Sequence, residues 1–310
     1  MTVFAPSAES SVTPSAGPST ESSAGPSTES SVTLSAESSV TPSAGPVVGR
    51  LERPHATLAF ETLGAAGPLA VHAHGSLSSR AHESRAGLFD WTPLTATHRL
   101  ARYDARGHGQ STGRPVPADF SYPALAADLL ALCDHLSPDA PVTGLGASMG
   151  AATVLWAALA RPERFDRLVL AIPAVAWEAR EPRRAGLRAA ATVVERRGTS
   201  TLRAAARLSG PPAVLAEVPQ YTTEFDAAEH LVPAVLRAAA EADLPAPALL
   251  RDLPHPTLIL TWPTDPIHPA TTAHTLATHL PHAHLHPAET LADIRTWGRT
   301  AAAFLAAPAG

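Results

Sequence analysis

The chain has 310 residues, 45% of them hydrophobic, and a net charge of −5 from 23 basic and 28 acidic side chains. That composition supports one sizeable α/β core and lacks the clustered positive charge that nucleic-acid binding needs. All 23 basic residues are Arg, which excludes Schiff-base, pyridoxal-phosphate and Walker-type phosphate chemistry, because each needs a lysine.

The first segment is repetitive. Ser7 to Pro18 recurs letter for letter as Ser35 to Pro46. Its Ser/Thr/Pro/Ala/Gly/Glu composition cannot bury enough apolar surface to offset the entropy of ordering. Residues 1–49 are therefore expected to be a disordered low-complexity tail, followed by one domain over 50–310. Cys133 is the only cysteine. No internal disulfide or thiolate metal cage is possible, and a reducing, cytoplasmic setting is expected. The N-terminus has no basic and apolar leader pattern and no run of membrane-spanning length, so neither a secretory signal nor a membrane partner is expected.

From Arg50 onward strands alternate with helices. Leu58–Leu63, Leu69–His74 and Arg99–Asp104 read as strands. Tyr122–Leu136 reads as a helix, with Leu125, Leu129, Leu132 and Leu136 on one face. Pro141–Leu145 is a strand, Ala151–Arg161 a helix, and Arg167–Ile172 a strand. An Ala/Arg/Leu-rich stretch over about 174–253 interrupts the alternation and reads as an inserted helical cap. Thr257–Thr261 and Ala283–His286 are further strands, and Asp293–Ala306 a last amphipathic helix. This order predicts an α/β fold with a mostly parallel sheet covered on both faces and its ligand site at the strand carboxyl ends.

Four motifs fall at those ends. Gly146-Ala147-Ser148-Met149-Gly150 follows a strand and opens a helix, the setting of a nucleophile elbow. His74-Gly75-Ser76-Leu77 and Asp104-Ala-Arg-Gly-His-Gly-Gln-Ser111 each follow a strand. So does Trp262-Pro-Thr-Asp265-Pro-Ile-His268-Pro269.

In chain order the motifs resemble the α/β-hydrolase superfamily, nearest to its enol-lactonase and esterase members, over about residues 50–307. The resemblance implies a cofactor-independent serine hydrolase of a small carboxylic ester, lactone or similar acyl compound. Ser148 would be the nucleophile and Asp265 the acid. The Ser76 and Met149 amides would form an oxyanion hole, while His74, Asp104 and His108 would brace loops. Glu178 is an alternative acid. The family's Gly-His pair after the last strand has no counterpart in His284–Ile294. His286 at the strand end is read as the base and His268 as its alternative, while a third reading has no base and makes the protein a binding or non-hydrolytic relative. A serine without a base is a weak nucleophile at neutral pH. The partner expected is a small-molecule substrate. No metal is expected, the cluster His279, His282, His284 and His286 having no carboxylate to complete a ligand set. The segment 176–210 holds eight Arg against three Glu, a balance that an anionic substrate or a solvated cap face would each explain.

Overall fold

A computed structural model describes residues 45–308. The repeat lies outside the described residues except for Gly45 and Pro46. The domain is an eight-stranded sheet with strand order β1-β2-β4-β3-β5-β6-β7-β8. The strands are β1 (Val47–Arg53), β2 (Ala56–Leu63), β3 (Leu69–Ala73), β4 (Arg99–Tyr103), β5 (Val142–Ala147), β6 (Phe165–Ala171), β7 (Thr257–Thr261) and β8 (Ala283–Pro287). β2 runs antiparallel to both of its neighbours, β1 and β4. All pairings from β4 through β8 are parallel.

β1 has no counterpart among the strands expected from sequence, and it takes in Val47 to Gly49, on the tail side of the boundary read at Arg50. Val47 and Val48 are exposed. An edge strand held by backbone pairing to β2 needs little apolar patterning, so periodicity passes over it.

The helices are α1 (Arg80–Ala86), α2 (Tyr122–Leu136), α3 (Met149–Ala160), α4 (Glu181–Arg197), α5 (Ser200–Ser209), α6 (Gln220–Thr223), α7 (Val232–Glu241), α8 (Pro247–Leu250), α9 (Ala270–His279), α10 (Leu291–Arg295) and α11 (Trp297–Ala306). α2, α3 and α9 cover one face of the sheet, with Leu125, Leu129, Leu155 and Leu276 packed on Val71, Val142 and Ile259. Trp297 and Ala301 of α11 cover the other, with Phe89, Trp91 and Leu94, against Ala70, Leu145 and Val169. Alternate residues of one strand thus feed opposite layers, as the pleat requires. α2 begins as a capped helix, the Ser121 hydroxyl accepting the Ala124 N–H.

The single helix expected over Asp293–Ala306 is corrected to two. Thr290 and Asp293 form a capping box, which makes Asp293 the third residue of α10. The chain then re-aims at Thr296 so that Gly298 lies against Asp90, where a Cβ would be 1.8 Å from the Asp90 carbonyl oxygen. The cap spans the interval between β6 and β7. Ala191 and Val194 of α4 pack there on Val232 and Leu236 of α7. Among the described residues no helix is long and apolar enough to cross a membrane.

Candidate active site

β5 ends at Ala147 and α3 begins at Met149, so Ser148 is the one residue of the turn. Its backbone sits at φ 52°, ψ −109°, a region costly for any residue with a Cβ. The bend is held by the Ser148 N–H, which donates to the Ala171 carbonyl at the end of β6 (3.0 Å). It is possible only because its neighbours are small. A Cβ on Gly146 would lie 2.3 Å from the Gly150 carbonyl, and one on Gly150 1.9 Å from the Ala73 carbonyl oxygen.

The loop after β7 carries the groups that face this serine. Asp265 Oδ1 accepts the N–H of Ile267 (2.7 Å) and of His268 (3.0 Å). This carboxylate-capped turn folds the chain back on itself and leaves His268 beside Oδ2, to which its Nδ1 donates at 2.8 Å. His268 Nε2 lies 2.8 Å from Ser148 Oγ. A carboxylate can only accept, so the imidazole proton is on Nδ1 and Nε2 is free to accept from the serine hydroxyl.

The expectation that His286 reaches Ser148 is not met. His286 pairs with Leu260 in the edge strand β8, and among the described residues it makes no hydrogen bond to Ser148. Glu178 is exposed and lines a separate cavity with Pro247 and Thr271. The signal for His268 was present as Asp-x-x-His, since an Asp that caps its own turn brings residue i+3 beside its carboxylate. Proximity to a serine 120 residues away was not readable.

The loop after β3 supplies the other wall. Ser76 and Met149 both line the cavity at Ser148. Met149 opens α3, so its N–H has no partner within the helix, and among the described residues the Ser76 N–H has no acceptor. The loop is held from behind by neutral imidazoles. His108 accepts the Leu77 N–H on Nε2 (3.1 Å) and donates from Nδ1 to the Arg106 carbonyl (2.9 Å). Burial pushes its pKa down to about 3. His74 donates to the Gly75 carbonyl (2.8 Å) and accepts the Ala105 N–H (2.9 Å), and burial lowers its pKa too. Asp104 accepts the Arg80 and Gln110 amides, each at 2.9 Å.

Two cavities meet at the serine. One, of about 220 Å³, includes Tyr122, Leu187, Val235 and Leu236 under the cap. The other, of about 210 Å³, includes His82, Tyr221 and Phe225. Ser76, Ser148 and His268 belong to both.

A family model described as "Serine aminopeptidase, S33" matches residues 95–290, a span that contains Ser148, Asp265 and His268. The chain belongs to this family of α/β-hydrolases. Against the 3-oxoadipate enol-lactonase 2 of Acinetobacter baylyi it is 31% identical over 197 residues, 59% of this chain and 67% of that one. Its structure is similar to that of a hydrolase from Pseudomonas aeruginosa PA01, with TM-score 0.69, 27% identity, and 84% of this chain and 98% of that one covered. An enol-lactonase from Burkholderia xenovorans LB400 shares the fold, with TM-score 0.67, 20% identity, and 84% of this chain and 100% of the other covered. The sheet and cap described above are those of the α/β-hydrolase fold.

A buried acid lies behind the loop after β3 of this α/β-hydrolase. Glu83 of α1 is fully buried, accepts the Gly75 N–H, and is raised to about 8, first by desolvation, against the opposing effects of Gly75 and Arg102. His72 Nδ1 lies 3.5 Å away, and burial holds His72 well below its usual value. A carboxyl whose folded pKa is raised favours the folded state fully below its unfolded value, near 4.5. That contribution is lost as pH rises through about 8. Glu83→Gln keeps an acceptor for Gly75 and removes the titration. Compared with wild type, the variant should gain stability between pH 5 and pH 9, on the order of a few kcal/mol, as read from thermal unfolding. Parallel curves for the two proteins across that range would refute it.

Proposed function

We propose that this protein is a cofactor-independent serine hydrolase of small carboxylic esters, lactones or similar acyl compounds. Ser148 is the nucleophile, His268 the general base, and Asp265 the acid that orients it. The observation that carries the reading is the chain Asp265 Oδ2–His268 Nδ1–His268 Nε2–Ser148 Oγ, with 2.8 Å at each hydrogen bond. These are productive distances for proton transfer.

Ser148 Oγ attacks the carbonyl carbon as its proton passes to His268 Nε2, and the imidazolium formed is stabilised by Asp265. The Ser76 and Met149 N–H groups receive the negative oxygen of the tetrahedral intermediate. Collapse breaks the bond to the leaving alkoxide, which takes the proton from His268 and leaves an acyl-serine. Water then attacks the acyl carbon, giving its proton to His268. The second collapse returns that proton to Ser148 Oγ and releases the acid. With two cavities meeting at the serine, the acyl chain has one side and the leaving group or water the other.

Labelling with a fluorophosphonate probe tests this reading. Wild type should be labelled and Ser148→Ala should not. Absence of labelling in folded wild type, with p-nitrophenyl esters also untouched, would overturn it.

A further inference from the structure

The cavity under the cap is walled mostly by apolar side chains, yet two guanidinium groups, Arg180 and Arg183, line it and no acidic residue does. Their neighbours on the same helix are neutralised. Arg184 pairs with Glu181 at 3.0 Å and Arg188 with Glu241 at 2.7 Å. Among the described residues, no ion pair joins Arg180 or Arg183 to a carboxylate.

Arg180 is 3% exposed. It is held in the wall by donating to the Val175 carbonyl (2.7 Å) and the Ala239 carbonyl, and by a side-chain hydrogen bond with Tyr122. Arg183 donates to the Pro266 carbonyl at 2.8 Å, which ties the cap helix to the loop that carries Asp265 and His268. Its other N–H groups are not used in that bond. Desolvation lowers the Arg183 pKa, Asp265 raises it, and Arg180 lowers it further. Asp265 acts on Arg183 through its charge, but among the described residues no hydrogen bond or ion pair joins the two, the Asp265 oxygens accepting from Ile267 and His268. Arg180 is buried and Arg183 half-buried at the cavity, so their positive charge favours an anion there, and a guanidinium fork matches a carboxylate.

We infer that Arg183, backed by Arg180, forms a carboxylate-recognition subsite beside Ser148, so that the preferred substrates are esters or lactones whose acyl part carries a second, ionised carboxylate. The inference rests on the serine-hydrolase reading for the bond cleaved and adds the class of acyl group.

The test is a matched pair of ethyl esters with five-carbon acyl chains, monoethyl glutarate (anionic) and ethyl valerate (neutral), followed by acid release. For wild type, kcat/KM should favour the anionic ester by about tenfold or more, and the preference should shrink with added salt. Arg183→Gln should bring the ratio to about one, chiefly through KM of the anionic ester, while Arg183→Lys should restore part of it. A wild-type ratio at or below one would overturn the inference, as would a ratio that Arg183→Gln leaves unchanged. If Arg183→Gln fails to fold, Arg183→Lys carries the comparison, and a ratio equal to wild type with a point charge in place of the fork would count against the subsite. If Ser148 takes no fluorophosphonate and neither ester is cleaved, the hydrolase reading has failed by itself. Calorimetric titration with monoethyl glutarate and ethyl valerate then decides the subsite separately. Binding of the anion alone, lost in Arg183→Gln, supports it, and no selective binding overturns it.

Discussion

Replacing His268 with Ala should lower kcat for a p-nitrophenyl ester by about 10⁴- to 10⁶-fold, whereas His286→Ala should leave it within about threefold. Ser148 Oγ has one imidazole at hydrogen-bond distance, that of His268 at 2.8 Å. Without it the hydroxyl keeps its proton at neutral pH, and only the oxyanion donors and the pocket remain to lower the barrier. His286 sits in the edge strand β8, half-buried. It makes no hydrogen bond to Ser148 among the described residues, so its removal leaves the proton path untouched. Steady-state kinetics on both variants, with melting temperatures to show that each is folded, make the comparison. Loss of activity in His286→Ala with His268→Ala still active would place the base on β8 and refute the assignment.

Asp265→Asn should lower kcat by about 10⁴-fold with the fold intact. The reason is the direction of one hydrogen bond. The Asn oxygen takes over the Ile267 and His268 amides that Asp265 Oδ1 now accepts. That leaves the amide NH₂ facing His268 Nδ1, where Oδ2 now accepts at 2.8 Å. An NH₂ group can only donate, so Nδ1 becomes the acceptor and the imidazole proton moves to Nε2. The ring then points N–H at Ser148 Oγ and cannot take its proton. Because the turn survives, Asp265→Asn should keep a near-wild-type melting temperature, while Asp265→Ala, which leaves the part-buried Ile267 and His268 amides without their acceptor, should lower both stability and activity. Activity of Asp265→Asn within tenfold of wild type would refute the role. Asp265 and His268 come from one loop, three residues apart, so their mutual geometry is set locally and does not depend on how the strand β8 ends.

What the sequence determined by itself is what local chemistry decides. The Leu spacing of Tyr122–Leu136 placed α2 with the bounds it has in the fold, because a helix face is a matter of period. The apolar run Thr257–Thr261 likewise placed β7. The small residues around Ser148 announced the elbow, since only there can Gly146 and Gly150 let backbone approach backbone so closely. The tertiary structure decided the rest. The edge strand β1 is recruited by pairing with β2, and of its apolar side chains Val47 and Val48 are exposed while Leu51 packs on the core, too little pattern to read as a strand from sequence. The last helix divides at Thr296, and just beyond it Gly298 sits against Asp90, a contact made far along the chain. Glu83 and Arg183 are ordinary charged residues in the sequence; in the fold burial raises Glu83, and only the fold brings Arg183 to the cavity at Ser148. The choice of His268 over His286 is of the same kind. Both histidines follow Ser148 in the chain, and chain order cannot rank them. Which imidazole meets a hydroxyl 120 residues away depends on the path of two loops at neighbouring strand ends, which only the folded sheet sets.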